Sequence, residues 1–221
     1  MPDFAHRAAA GEALAKRLAS NGYANPVVVA IPRGGVPVAA PLARRLDLPI
    51  ELCLVAKIHL PWRREAGVGA LASDGTLRLN HELIHILAME DGAVSQAVDE
   101  ARQVLDQRRR ALGSYTHLPD LRGKTSIVVD DGMATGYTAL TAVEFLRRLE
   151  PDHRIVVAAP VSSIYALEAL AEAAVEAVVL TSGDGPFFDV ATYYGDFEEY
   201  ADTKVRRLLK HPARRSAQAA S

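Results

Sequence analysis

The chain has little cysteine, little net charge and no long apolar run. Its one cysteine, Cys53, excludes an intramolecular disulfide and fits a reducing compartment. The formal net charge of −2 gives no electrostatic reason to expect nucleic acid or a membrane surface as a partner. No apolar run reaches the roughly 20 residues of a transmembrane helix, and residues 1–10 lack the apolar core of a signal peptide. We therefore predict a soluble, cytoplasmic protein.

Short apolar strands alternate with amphipathic helices along most of the 221 residues. The predicted strands cover 27–31, 50–56, 127–129, 154–160 and 175–180. This alternation predicts an α/β fold, a Rossmann-like parallel sheet with helices on both faces. We expect a single domain, 1–221, with a core at about 27–181, hood or lid elements at about 58–80 and 183–200, and a tail at 210–221.

Two carboxylates, Asp130 and Asp131, directly follow the 127–129 strand, and a loop of small residues and hydroxyls leads from them into a helix. Ligands bind at the carboxyl ends of strands in open α/β sheets. Carboxylates can accept hydrogen bonds from vicinal hydroxyls, and a loop entering a helix offers N–H groups to a phosphate. Residues 127–138 therefore predict a ribose 5-phosphate site, although an acidic pair can equally cap a turn.

Residues 129–138 resemble the 5-phosphoribosyl 1-pyrophosphate (PRPP) signature of the type I phosphoribosyltransferases. One element departs from it, since Gly132 stands where a larger apolar residue is usual. The resemblance implies that Asp130 and Asp131 hold the ribose hydroxyls and help to place Mg²⁺. The residues that it implies for the 5′-phosphate are Ala134, Thr135, Gly136, Tyr137 and Thr138.

A second loop, 32–35, follows the first core strand and resembles the pyrophosphate-binding loop of the same family. Its paired glycines, Gly34 and Gly35, permit close backbone approach, and Arg33 carries a fork of donors suited to phosphate oxygens. Without the neighbouring signature, this pattern would predict only a simple turn. Beside the signature, we expect Arg33, Gly34 and Gly35 to bind pyrophosphate together with Lys57, which matches the basic residue that the family carries after its next strand.

The segment 59–67 matches the mobile catalytic loop of the family in position and only loosely in sequence. We expect Arg63 and Arg64 to act as lid residues over the leaving pyrophosphate, although both can be ordinary solvated charges. Family members that act on 6-oxopurines carry an Asp where this chain has Ala134, so the loop is more similar to those of the adenine and uracil enzymes. Glu65 is then the nearest candidate proton acceptor, and we predict Glu65 and Lys57 as the catalytic residues.

The leading functional prediction is transfer of a phosphoribosyl group from PRPP to a nitrogen acceptor, a nucleobase, with Mg²⁺ and release of pyrophosphate. One alternative is a non-catalytic PRPP or nucleotide sensor on the same fold, and a weaker one is an Asp-centred phosphotransfer domain. A homodimer is compatible with the resemblance. His81 and His85 lack a third metal ligand in register, and the 108–110 charge run is predicted to be a solvated helix face.

Overall fold

The computed structural model describes residues 2–60, 62–185 and 188–210, with the backbone alone for residues 63–66. Its strands are β1 (Phe4–His6), β2 (Pro26–Ala30), β3 (Ile50–Leu52), β4 (Val55–Leu60), β5 (Arg63–Ala72), β6 (Leu77–Leu79), β7 (Thr125–Val129), β8 (Arg154–Ser163), β9 (Glu176–Gly183) and β10 (Tyr194–Asp196). Its α-helices are α1 (Arg7–Leu18), α2 (Val36–Leu46), α3 (His81–Ile86), α4 (Asp91–Leu112), α5 (Tyr137–Leu149), α6 (Ile164–Glu172) and α7 (Asp202–Leu209). Short 3-10 helices cover Gly113–Thr116 and Val190–Tyr193.

A five-stranded parallel sheet forms the centre of the molecule, in the order β3-β2-β7-β8-β9. Every residue of β7 is buried, because helices cover both faces of the strand. Its register places Ile127 between Val28 of β2 and Val156 of β8. The predicted fold class, a parallel sheet with helices on both faces, is confirmed.

The side chains of each central strand divide between two apolar clusters, one on each face of the sheet. On one face, Val28 shares a cluster with Leu14 of α1 and Leu42 of α2, and α4 and α7 also contribute to it. On the other face, Val29 shares a cluster with Leu146 of α5 and Leu170 of α6. The fully apolar strands are therefore explained by burial on both sides.

The chain leaves β2 and β7 in opposite directions across the sheet. Helix α2 leads from β2 to the edge strand β3, whereas α5 leads from β7 to β8 on the other side. Ligands of open α/β sheets bind at such a switch point, outside the carboxyl ends of the strands. The loops after β2 and β7 therefore lie side by side, and the Ile31 N–H donates to the Val129 carbonyl at 2.9 Å.

The predicted strand 50–56 is wrong as a single element. Its first part, β3, is an edge strand of the parallel sheet. The next residue, Cys53, continues the pairing with β2, since its N–H donates to the Ala30 carbonyl at 3.0 Å. The chain then enters β4, which pairs antiparallel with β5 in a second sheet of order β4-β5-β6. Residues 50–56 are buried in both sheets. Because the run is mostly apolar along its whole length, the sequence pattern does not indicate where the chain passes from one sheet to the other. A turn at 73–75 joins β5 to β6, and Asp74 Oδ1 accepts the Thr76 N–H there at 2.9 Å.

Residues 183–185 and 188–200, which we call the hood segment, pack with the amino terminus. Strand β10 pairs in parallel with β1, which the sequence did not predict, and Phe4 lies opposite Tyr194. The rings of Phe4 and Phe197 pack on Tyr194 at centroid distances of 5.8 and 5.3 Å. The predicted tail lies outside the described residues apart from Lys210. Within the described ranges, no helix combines the length and the apolar character needed to cross a membrane.

Candidate functional site

A cavity of about 310 Å³ opens at the carboxyl edge of β2 and β7, below the hood segment. The predicted site residues that line it are Arg33, Gly34, Lys57, Asp130, Asp131 and Thr138. They come from three separate segments of the chain, and the switch point of the sheet brings them together. The cavity is also lined by charged residues that the sequence prediction missed: Arg7, Arg108 and Glu199.

The acidic pair lines this cavity, directly after β7. Asp130 Oδ1 accepts the Asp131 N–H at 2.9 Å, so the first carboxylate also shapes the turn. Burial, followed by the negative charge of Asp131, raises the pKa of Asp130 well above its usual range. The Asp131 carboxylate is partly neutralised, because the Arg7 Nε donates to its Oδ2 at 2.7 Å. Ligand groups that donate hydrogen bonds or carry positive charge would favour the ionised form of Asp130.

The loop after the acidic pair is anchored to the end of β8. The Met133 N–H donates to the Val161 carbonyl at 3.0 Å, and the Ser163 hydroxyl donates to the Ala134 carbonyl at 2.6 Å. Gly136 has a φ of 76°, which glycine adopts without the steric penalty of a Cβ. The helical hydrogen bonds of α5 begin with the Leu140 N–H to the Gly136 carbonyl, at 2.8 Å. The backbone N–H groups just before Leu140 have no acceptor within the helix, and N–H groups of this kind at the start of a helix can bind an anion.

Other members of this loop differ in exposure. Ala134 and Thr135 are exposed, whereas Tyr137 and Thr138 are half-buried at the start of α5. Gly132, where the family usually carries a larger residue, lies under the hood segment. A Cβ at this position would come within 3.0 Å of Val190, so the hood side chain occupies the space that a larger loop residue would need.

The loop after β2 packs directly against the acidic turn. A Cβ on Gly35 would lie under 3.0 Å from the carbonyl oxygen of Val129, and a Cβ on Gly34 would lie equally close to the Asp131 carboxylate. The peptide bond between Pro32 and Arg33 is cis. Arg33 itself is exposed at the cavity. The absence of side chains at the two glycines therefore lets the loops of β2 and β7 share one site.

Arg108 corrects the prediction that the 108–110 charge run is a solvated face. Its guanidinium Nη1 donates to the Pro32 carbonyl and to the Val55 carbonyl, both at 3.1 Å. Burial, followed by the positive charge of Arg33, lowers the pKa of Arg108. Arg109 and Arg110 are exposed, as predicted. Arg108 therefore ties the loop after β2 to the start of β4 and adds positive charge to the cavity.

Lys57 and the predicted lid lie on the antiparallel sheet. Lys57 is in β4, opposite Ala70 of β5, and its aliphatic chain lies so close to Gly67 that a Cβ there would clash with it. The predicted lid, 59–67, includes the connection between β4 and β5. The side chains of Arg63, Arg64 and Glu65 lie outside the described residues, so their predicted roles stay predictions.

Metal ligands are sparse in the part of the chain that the structure describes. No group of three or more His, Cys, Asp or Glu side chains there is arranged to hold a metal ion. His81 and His85 both lie on α3, and both are exposed. The acidic pair at the cavity is thus the candidate metal contact, with any other ligands supplied by a substrate or by water.

Comparison with known proteins gives the family of this chain. The family model of the phosphoribosyl transferase domain matches residues 4–178. The chain belongs to this family. Two curated relatives from Mycobacterium tuberculosis strains, "Putative phosphoribosyl transferase MT0597" and "Putative phosphoribosyl transferase Rv0571c", are each 34% identical over 219 residues.

The extent of these matches differs between the relatives. Each curated relative aligns with 98% of this chain, but the match covers 48% of the relative, so the chain spans about half the length of the curated relatives it matches. The crystal structure of TT1426 from Thermus thermophilus is 35% identical, with a TM-score of 0.69, and covers 93% of this chain and 97% of that one.

Proposed function

We propose that this protein transfers a 5-phosphoribosyl group from PRPP to a nitrogen acceptor, a nucleobase, and releases pyrophosphate. One observation carries the proposal: two carboxylates, Thr138 at the start of α5 and part of a second glycine loop line one cavity at the switch point of the sheet. The rest of the loop, 134–137, does not line this cavity and precedes Thr138 in the chain. Each group matches one part of PRPP, since the ligand combines vicinal hydroxyls, a 5′-phosphate and a pyrophosphate.

In this proposal, Asp130 and Asp131 accept hydrogen bonds from the 2′ and 3′ hydroxyls of the ribose. The loop 134–138 binds the 5′-phosphate through backbone N–H groups and hydroxyls at the start of α5. On the opposite side, Arg33, the backbone of Gly34–Gly35 and Lys57 bind the pyrophosphate. The ribose C1 then lies between the two loops, open toward the hood segment.

The reaction breaks the bond between C1 and the pyrophosphate oxygen, and forms a bond between C1 and the acceptor nitrogen. The bonding electrons leave with the pyrophosphate, and the acceptor nitrogen loses one proton. Because C1 becomes cationic on the way, the protein acts mainly by holding the reactants and stabilising charge. Lys57 stabilises the leaving pyrophosphate. Glu65 is proposed to take the proton, and the lid, with Arg63 and Arg64, to exclude water.

The acidic pair also suits Mg²⁺. Mg²⁺ prefers oxygen ligands and usually binds through one or two carboxylates together with substrate phosphates and water. Asp130 and Asp131 provide two such carboxylates in the same cavity as the proposed pyrophosphate residues Arg33, Gly34 and Lys57. When bound, the ion would neutralise charge on the pyrophosphate. The raised pKa of Asp130 fits a site in which the second negative charge needs a cationic partner.

A non-catalytic PRPP or nucleotide sensor is the second candidate. One observation favours it, since Ala134 leaves the signature loop without a proton acceptor. The two candidates differ in turnover and agree on the ligand.

The test is pyrophosphate release from PRPP and Mg²⁺ with a panel of purine, pyrimidine and pyridine bases. We expect steady release with one class of base, and loss of release in Asp130→Asn but not in Asp120→Asn, a carboxylate that is exposed and paired with Arg122. Binding of PRPP by calorimetry without release for any base would support the sensor. No binding of PRPP at millimolar concentration would contradict both candidates.

The proposal includes a cellular location and an oligomeric state. A reducing, cytoplasmic location suits Cys53, which is a buried free thiol. The homodimer predicted from the sequence stays a prediction, which sedimentation would test.

A further inference from the structure

Arg7 is a buried charge at the proposed PRPP site, although it lies 124 residues from its partner in the sequence. Its side chain donates from Nε to Asp131 Oδ2 at 2.7 Å, and from Nη1 to the Glu198 carbonyl at 2.8 Å. Only 6% of the residue is exposed. A buried charge needs an ionic partner and satisfied hydrogen bonds, and Arg7 finds these on two different elements.

The hood segment builds the rest of the Arg7 environment. The guanidinium lies 3.5 Å from the centroid of the Phe197 ring, within the range of a cation–π contact. The Tyr194 hydroxyl donates to the main-chain carbonyl of Asp131 at 2.6 Å. Burial raises the pKa of Tyr194, so its hydroxyl stays a neutral donor. Because β1 pairs with β10, with His6 opposite Asp196, the backbone before Arg7 is fixed to the same segment.

Asp131 is therefore held from three directions. Arg7 binds its Oδ2, Tyr194 binds its carbonyl, and the backbone of Gly34 lies so close to the carboxylate that a Cβ there would clash with it. The side chain cannot turn freely, and Oδ1 is the oxygen left to accept a ribose hydroxyl. A carboxylate held in this way meets the ligand without first losing conformational freedom.

We propose that Arg7 is a positioning residue that orients the Asp131 carboxylate toward a ribose hydroxyl and thereby links the hood segment to the PRPP site. This inference rests on the proposed function, because it assigns Asp131 to the ribose. Arg7 acts through Asp131 and has no need to touch the ligand. Its loss should affect ligands that carry a ribose and spare those that carry only phosphates.

The probes for the test are PRPP and inorganic pyrophosphate, each with Mg²⁺, titrated by calorimetry. Arg7→Met keeps much of the side-chain length and removes the charge and the donors. If Asp131 is no longer oriented, its charge-assisted hydrogen bond to the ribose hydroxyl is lost, which should weaken PRPP binding about 10- to 100-fold. Binding of pyrophosphate should change much less than binding of PRPP, because the donors of Arg7 are engaged with Asp131 and the Glu198 carbonyl.

Lys204→Met is the matched control for a general loss of positive charge. Lys204 is also a cation beside the hood segment, where it pairs with Glu198 and lies 4.4 Å from the Tyr200 ring centroid, but it has no contact with Asp131 among the described residues. This variant should bind both probes as the unmodified protein does. Unfolding by urea would report whether either variant loses stability. If Arg7→Met does not fold, Arg7→Lys keeps the charge without the guanidinium fork and should show the same selective loss of PRPP.

A double-mutant cycle separates positioning from a purely structural role. In the Asp131→Asn background, Arg7→Met should add little further loss of PRPP affinity, because the carboxylate that it orients is gone. Equal losses for PRPP and pyrophosphate, or additive losses in the cycle, would overturn the inference and leave the proposed function intact. Failure of the unmodified protein to bind PRPP would overturn both.

Discussion

Gly136 offers the sharpest test of the phosphate loop, because its backbone conformation is known and a matched glycine exists elsewhere. Gly136 has a φ of 76°, and the carbon atoms of Ala166 lie 3.4 Å from the place where its Cβ would be. Gly75, in the turn between β5 and β6, has a φ of 94° with nothing within 4 Å. Valine at either position is forced into a left-handed conformation that costs about 1–2 kcal/mol.

The two variants should therefore lose similar stability and differ in ligand binding. Gly136→Val can relieve its strain only by turning the loop, which redirects the N–H groups at the start of α5. Loss of two hydrogen bonds to a charged phosphate, at about 1.5–3 kcal/mol each, corresponds to roughly 10²- to 10⁴-fold weaker binding. Gly75→Val is remote from the cavity and should leave the affinity unchanged.

The assay is calorimetric titration with ribose 5-phosphate, beside urea unfolding of both variants. The free energy of unfolding should fall with urea concentration at the same slope in the variants as in the unmodified protein, which would show that the fold persists. If Gly136→Val folds and binds ribose 5-phosphate within about twofold of the unmodified protein, the loop 134–138 is not the phosphate site. The reasoning from helix start and glycine conformation would then be refuted.

Further predictions concern the other parts of the site and the core. Arg108→Met should weaken pyrophosphate binding about 10- to 100-fold, because two hydrogen bonds that hold the loop after β2 are lost. Arg109→Met is the control, since its side chain contacts Ser73 instead, and calorimetry should show no change in its pyrophosphate binding. Burial raises the pKa of Cys53, so its thiol should react with an aromatic disulfide reagent only as fast as the protein unfolds, and rapid reaction in native buffer would contradict this. Replacing Arg63 and Arg64 with Ala should lower turnover far more than it weakens binding of the monophosphate product; equal effects, or slow amide exchange at 59–67 that PRPP leaves unchanged, would count against a lid.

The sequence predicted those parts of the candidate site whose residues are contiguous in the chain. Residues 127–138 contain a buried strand, two carboxylates and a loop into a helix, and each part depends on its immediate neighbours. The same holds for the loop at 32–35. Continuous apolar strands separated by helices also determine a parallel sheet, because only burial on both faces tolerates such runs. The central sheet and the identity of the main loops thus followed from the sequence.

Contacts between distant segments depended on the tertiary structure. Arg7 gives no sign in the sequence of its ion pair with Asp131, because this contact requires β1 to pair with β10 at the other end of the chain. Arg108 lies in a run of charges that helical periodicity assigns to solvent, yet the packing of α4 turns it toward the loop after β2. The apolar run 50–56 divides between two sheets because each half finds different partners. Local patterns in the sequence predicted the candidate phosphate-binding residues, whereas packing across the whole fold determined which residues hold them in place.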